Sequence, residues 1–191
     1  MSEPAYKYEY TQKYEIHDGK IVYMAPSPGV NHTRAIARII NVFNRYLQGK
    51  KCEVFHDSVD VFLTKKDTFV PDMTVVCNPE IIKENGIHGA PDLVVEVLSP
   101  STSNYDRKYK KKVYEKCGVR EYWIVDIKNR AIEVYLPIDG KYELEYIYQI
   151  YPDFLIEGMT EDQKSQLITE FSPSIFPDLK ISLFEIFERL S

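Results

Sequence analysis

Cysteine is scarce in this chain, and what there is follows no ligand pattern. Cys52, Cys77 and Cys117 are odd in number and far apart, with no CxxC pair and no Cys/His spacing of a zinc site, so reduced thiols in a cytosolic setting are expected. Long apolar runs are also missing. No stretch approaches a membrane span, and the opening MSEPAYKYEYTQKYEI has no apolar signal core, which points to a soluble, cytoplasmic protein with no membrane partner. Excess positive charge is absent: the net charge is -5, which disfavours a simple DNA-coating protein and requires any polyanion to be met by a local basic surface or through a metal. There are no repeats, low-complexity tracts or linkers, so residues 1–191 are expected to form a single domain. Ser99 and Ser101 have neither a GxSxG elbow nor a nearby histidine, which sets aside a serine nucleophile.

What is present is an ordinary globular composition, 44% hydrophobic and 28% charged with 15 tyrosines, organised around residues 92–127. Two β-branched apolar runs flank a lysine-rich segment of helical period, which reads as strand, helix, strand with the helix across the sheet. In Leu93-Val94-Val95-Glu96-Val97-Leu98 an acid stands where every neighbour is apolar. A buried carboxylate needs a cation, a metal or a proton. The helix offers the cation. Tyr109, Val113 and Cys117 define its inward stripe, with Asp106, Lys110 and Tyr114 on or beside it, while Lys108, Lys111, Lys112 and Glu115 point elsewhere. Lys110 is therefore aimed at the sheet, with Asp106 one turn before it. A structural salt bridge would use the same residues.

Before this block, the Asp18-Gly19 turn between two short alternating runs marks a hairpin. A turn at Pro26-Ser27-Pro28-Gly29 follows, then a helix capped by Asn31, with Ile36, Ile39, Ile40, Phe43 and Leu47 on one face and Gly49 at its end. His32 lies in its first turn, as a surface or capping residue or as support for a site. Residues 53–63 alternate as a strand, with Phe55, Asp57 and Val59 on one face. Residues 69–77 return as a second strand, which places Asp72 on the face of Val70, Thr74 and Val76. Asp92 is two pleats before Glu96 on the same face. Ser99 to Ser103 offer hydroxyls to cap the lysine helix. Three further strands are expected within 120–148, a short helix within 161–171 and a closing amphipathic helix at 183–190, giving an α/β (α+β) fold with a mixed central sheet flanked by helices.

Should Asp72 and Glu96 lie on neighbouring strands with Lys110 beside them, the constellation suits phosphodiester hydrolysis. Two close carboxylates repel, and oxygen ligands without His or Cys favour Mg²⁺ or Mn²⁺. A nearby ammonium could position a water or stabilise the transition state.

These residues also carry a resemblance. VPDMTVV, then PDLVVEVLSPST, then Asp106, Lys110 and Tyr114 spaced D-x-x-x-K-x-x-x-Y, then GVREYWIVD, resemble the Uma-two family of restriction-endonuclease-like proteins, within the PD-(D/E)XK nuclease superfamily. IHDGKIVYMAPSPGVNH and SIFPDLKISLFEIF are similar to that family's ends. The resemblance implies a restriction-endonuclease-like core and Mg²⁺-dependent DNA cleavage. It also implies Asp72 as the acid of the PD motif and Glu96 as that of (D/E)XK, both toward metal. Leu98 stands where the superfamily has lysine, so the lysine would come from the helix as Lys110. Asp92, Asp106, His32 and Tyr114 are candidate supports.

Two other readings use the same chain. A non-catalytic relative could bind nucleic acid or a partner protein, for which Arg107, Lys108, Lys111 and Lys112 are the only dense basic supply. An assembly role, with edge hairpins and surface tyrosines forming a homodimer, needs neither metal nor basic surface.

Overall fold

The computed structural model describes residues 12–24, 29–56, 58–99 and 103–190. The expectations for residues 1–11, the turn at 26–28, the facing of Asp57 and the hydroxyl caps at 101 and 102 lie outside the described residues, as does Ser101.

The chain begins with β1 (Tyr14–His17) and β2 (Lys20–Tyr23), joined by the expected turn. Asp18 and Gly19 both take positive φ, 48° and 75°, the geometry a two-residue hairpin loop requires. Helix α1 (Val30–Leu47) follows. Its cap is Gly29 rather than Asn31, which sits inside the first turn. Its apolar face is the expected one: Ile39, Ile40, Phe43 and Leu47 are buried.

The segment read as one strand over 53–63 is two, β3 (Glu53–His56) and β4 (Val61–Phe62). The return is likewise divided into β5 (Thr68–Phe69) and β6 (Met73–Val76), with Pro71 between them lacking the N–H that a continuous ladder would need. The break sends the halves to different sheets. β7 (Ile82–Lys83) and β8 (Gly86–His88) complete a peripheral sheet in the order β2-β1-β5-β4-β8-β7.

The central sheet adds β9 (Leu93–Val97), β10 (Glu121–Asp126), β11 (Ala131–Ile138) and β12 (Lys141–Gln149), in the order β12-β11-β10-β9-β6-β3. Only β9 and β10 run parallel within it, and the crossover between them is the lysine-rich helix. That helix opens as a π-helical turn over Tyr105–Lys110 and continues as α2 (Lys111–Cys117). Gly118, at φ 85°, reverses the chain into β10. Short helices α3 (Asp153–Glu157) and α4 (Glu161–Ser165) lead to the pair β13 (Glu170–Phe171) and β14 (Ile181–Ser182), and α5 (Leu183–Phe187) closes the chain.

The central sheet is covered on both faces. Met73, Val75, Leu93, Val95, Val97, Trp123, Val125, Ile132 and Val134 pack with α1 and α5 in one apolar core. The alternate residues Val94, Tyr122 and Ile124 pack with Phe69, Val113 and Tyr114 under the crossover helix. This is the mixed, helix-flanked α/β sheet expected from the sequence.

The reading of the cysteines also fails. Cys52 and Cys77, read as reduced thiols, are joined in a disulfide, with only Cys117 free. Glu53 pairs with Val76 across β3 and β6, which extends to Cys52 opposite Cys77. Their separation of 25 residues concealed a cross-strand pair. Among the described residues no helix is long and apolar enough to cross a membrane.

Candidate active site

Strand register brings the two acids together. Met73 pairs with Val95 across β6 and β9, so Asp72 stands opposite Glu96 one step beyond the last registered pair. Residues opposed in this way have Cβ atoms about 4.5–5.5 Å apart on one face. That face is the one under the crossover helix. The Asp72 side chain is 25% exposed, and its Oδ2 accepts the Val97 N–H at 2.7 Å and a hydrogen bond from His32 Nε2 at 3.2 Å. Glu96 is deeper, 4% exposed, and its Oε1 accepts from Lys110 Nζ at 3.0 Å and from the Tyr114 hydroxyl at 2.8 Å.

The π-helical opening of the crossover sets the lysine. Widening the turn toward i→i+5 bonding, seen in the Lys111 N–H bond to the Asp106 carbonyl, brings Asp106 and Lys110 more nearly into line on the sheet side. Both are buried, and Lys110 Nζ is 3.7 Å from Asp106 Oδ1. The Tyr122 hydroxyl bonds the Asp106 carbonyl at 3.1 Å, pinning this turn to β10.

A third carboxylate meets the lysine that the sequence reading did not find. Glu15 Oε1, on β1, is 2.8 Å from Lys110 Nζ and also accepts the Val70 N–H at 2.9 Å. Its Oε2 bonds His17 Nε2 at 2.8 Å. Glu15 and His17 alternate along β1 as the inward residues, while Tyr14 is exposed and Ile16 half-buried. The i, i+2 spacing was legible, but only the folding of the hairpin over the crossover helix shows that this polar face is buried.

Burial opposes the charge on Lys110, yet Glu96, Glu15 and Asp106 outweigh it and raise its ammonium above the usual lysine range. It stays a cation at neutral pH and is not a general base. Burial is also the chief cause raising Glu96 well above the usual carboxylate range; Lys110 counters it, while Asp106, Asp72 and Glu15 reinforce it. The shifts of Lys110 and Glu96 share an origin, since carboxylates outnumber cations here and the cluster binds positive charge tightly. Glu15 is lowered: burial raises it, and Lys110 with the hydrogen-bond donors prevails. His32 is raised, burial being overcome by the hydrogen bond and charge of Asp72.

Asp72 and His32, and Glu96, Lys110, Asp106 and Tyr114, thus lie together on this face. Asp92 does not. It lies at the far end of β9, about 13 Å from Glu96 at strand rise, where its carboxylate accepts the Cys77 N–H at 2.7 Å and pairs with Arg120 at 3.1 Å. Parity placed it on the right face, but distance along the strand removes it from the site. The outer basic surface is also thinner than the sequence suggests. Arg107 pairs with Glu133 and Asp126, and Lys111 Nζ sits 3.7 Å from the Tyr135 ring centroid.

The donor set decides which metal could fit. Among the described residues no group of three or more His, Cys, Asp or Glu is arranged to hold an ion. A cation at this site would meet Asp72 and Glu96 as its protein carboxylates, whose hydrogen bonds from Val97, His32, Lys110 and Tyr114 fall on one oxygen of each. This fits a hard divalent ion that keeps most of its shell as water or substrate oxygen.

The chain matches the profile described as "Uma2: Putative restriction endonuclease" over residues 5–167. It belongs to the Uma2 family. Two proteins of Synechocystis sp. (strain PCC 6803) are similar to it, both bearing the description "uncharacterized". One, slr1290, is 32% identical over 126 residues, 65% of this chain and 66% of that relative. The other, sll1609, is 24% identical over 135 residues, covering 69% and 76%. The match to slr1290 therefore spans slightly less than two thirds of that protein's length. A crystal structure from Anabaena variabilis, described as "a putative nuclease belonging to DUF820", superposes with a TM-score of 0.69 at 23% identity, covering 93% of this chain and 91% of that one. That likeness bears on the fold, which is restriction-endonuclease-like as expected. The Uma2 assignment makes the chain a member of a nuclease-type family, and its central block, from Asp72 through Tyr114, lies within the matched residues.

Proposed function

We propose that this Uma2 protein is an endonuclease that hydrolyses DNA phosphodiester bonds with Mg²⁺ or Mn²⁺, Asp72 and Glu96 holding the ion and Lys110 assisting the reaction. The observation that carries the reading is the opposition of a solvent-reaching acid and a buried acid across β6 and β9, with a permanently charged lysine 3.0 Å from the buried one. The bound ion would supply a Lewis acid at the scissile phosphate and a more acidic water. The chain's own groups do the rest. Asp72 is oriented by the Val97 N–H and His32, and Glu96 by Tyr114 and Lys110. The Lys110 ammonium stabilises negative charge that develops on phosphoryl oxygens, where preorganised charge counts most. Sequence preference is not part of the proposal.

Titration calorimetry with Mn²⁺, on the wild type beside Asp72→Asn/Glu96→Gln and repeated with a DNA duplex present, tests the reading. Heat of binding in the wild type that is lost in the double variant supports it, as does nicking of plasmid DNA only when the ion is supplied. Equal binding by both proteins rules out these acids as ligands. No binding by either, with duplex present, would make the cluster a structural ion-pair network and favour a binding-only protein, a reading that the depth of Glu96 suits.

A further inference from the structure

We propose that Glu15 is a positioning residue of this site, fixing the Lys110 ammonium against the acid pair, so that the β1–β2 hairpin is part of the machinery rather than a cover over it. The proposal deepens the nuclease reading and rests on it for its catalytic consequence.

Lysine carries its charge on a flexible four-carbon stem, and something must choose among its rotamers. Of the three carboxylates around Lys110 Nζ, Glu15 is the nearest, at 2.8 Å against 3.0 Å for Glu96 and 3.7 Å for Asp106. Glu15 is itself immobilised at both oxygens, by the Val70 N–H at 2.9 Å and by His17 Nε2 at 2.8 Å. The His17 ring is held in turn, stacked on Tyr109 at 5.2 Å and edge-on to Phe69 at 4.9 Å between centroids.

Val70 is two residues before Asp72 in the segment that leads into β6. The path from Val70 N–H through Glu15, Lys110 Nζ and Glu96 therefore closes on β9, which pairs with β6. This ring ties the position of the lysine to the backbone that presents the other acid. Without Glu15, Lys110 keeps only Glu96 beneath it and Asp106 on its own helix. With both oxygens engaged, Glu15 is also a poor candidate for the metal, which separates its role from those of Asp72 and Glu96.

Glu15→Gln is nearly isosteric, and its amide oxygen still accepts from Val70 N–H while the charge facing Lys110 is lost. Two readouts decide. In protein labelled with ¹⁵N-lysine, a buried ammonium held by carboxylates gives a slowly exchanging Nζ resonance, assigned by its absence in Lys110→Met. This resonance is expected to shift and exchange faster in Glu15→Gln, and an unmoved resonance overturns the proposal. In cleavage, kcat is expected to fall about ten- to a hundredfold, the range that misplacement of a catalytic group by about 1 Å produces. KM and Mn²⁺ affinity should stay within about twofold, and Glu15→Asp should recover part of the loss. A kcat equal to wild type overturns the proposal, because a merely structural residue would lower stability and leave turnover per folded molecule intact. Should Glu15→Gln not fold, His17→Phe removes one anchor of Glu15 while keeping an aromatic ring in the stack, and the same directions are expected on a smaller scale. A wild type that cleaves no DNA defeats the nuclease reading, whereas the resonance still decides whether Glu15 holds the lysine.

Discussion

Glu96 and Glu121 are buried glutamates on neighbouring strands, one on each face of the central sheet, and they are satisfied by opposite means. Glu121, fully buried beneath the α1 side, accepts from Trp123 Nε1 at 2.7 Å and, through Oε2, from Ser174 N–H at 2.8 Å, Ser174 Oγ at 2.6 Å and Ile175 N–H at 3.3 Å. Every one of these donors is neutral and fixed by the fold. The carboxylate clips the 174–175 segment to β10, and nothing in its surroundings is left to react. Glu96 has a lysine, a tyrosine and other acids around it, and its neighbour Asp72 reaches solvent. Depth alone does not mark a site. What separates the two is whether the partners are neutral donors that end the argument or charges that continue it to the surface.

The largest expected effect separates the two glutamates directly. Glu96→Ala should abolish cleavage, a fall of about a thousandfold or more, with the fold retained by circular dichroism. Glu121→Ala should do the reverse. It strands several buried donors at about 1–3 kcal/mol each, so melting should fall by several degrees while turnover per folded molecule stays unchanged. If the two variants lose activity in parallel, the distinction between a clip and a site fails.

Lys110→Met sharpens the contrast further, because it turns Glu96 into a buried acid with a neutral partner only. Cleavage should slow about a hundredfold while Mn²⁺ binding persists. Removing one partner of a buried ion pair costs about 3–5 kcal/mol, and saturating Mn²⁺ should restore part of the lost melting temperature. Loss of ion binding in this variant would make Lys110 part of the metal site's architecture rather than an assistant to the reaction.

The sequence displayed this contrast unevenly. Glu96 was legible because strand β9 is short, continuous and otherwise apolar, and Lys110 because helical period leaves one lysine of the run facing inward. Asp72 was read on a strand face shared with Thr74 and Val76 and drew its weight from Glu96 and the PD motif; Pro71 in fact ends the strand, and Asp72 stands just before β6. Glu121 follows Arg120 at the start of its strand and so does not stand out as Glu96 does, and its donors at Ser174 and Ile175 are some fifty positions away. Glu15 was missed for the same kind of reason. Its partners Val70 and Lys110 are 55 and 95 positions distant, and nothing in YEIH says which face a hairpin will bury. Beyond the β1–β2 hairpin, which the Asp18-Gly19 turn announced, the peripheral sheet was equally hidden, because its remaining strands of two or three residues carry no periodic signal of their own. Register and parity can be read along a chain, but the packing of one sheet against another cannot.

The smallest expected effect concerns pH, and it adds a third acid to the comparison. Asp67 Oδ1 accepts from the Tyr109 hydroxyl at 2.5 Å and the Asp18 N–H at 3.0 Å, and its Oδ2 accepts from Thr64 Oγ1 at 2.7 Å. Burial pushes this carboxyl up, but Tyr109 and the other donors pull it below the usual carboxylate range, while Tyr109, raised by burial and by Asp67, is pushed up to about 12. A carboxyl lowered on folding contributes stability that is present above its unfolded value and lost as pH falls through its folded value. Glu96, raised on folding, has the opposite sign: its contribution is full below its unfolded value and declines as pH climbs toward its folded one. Melting measured from the acid range to neutrality should therefore separate them. Asp67→Asn flattens the rise in stability out of acid, by about 1 kcal/mol, whereas Glu96→Gln removes a decline at higher pH. Should both variants change the same limb in the same direction, the two carboxyls are not held in the opposite senses that their partners require.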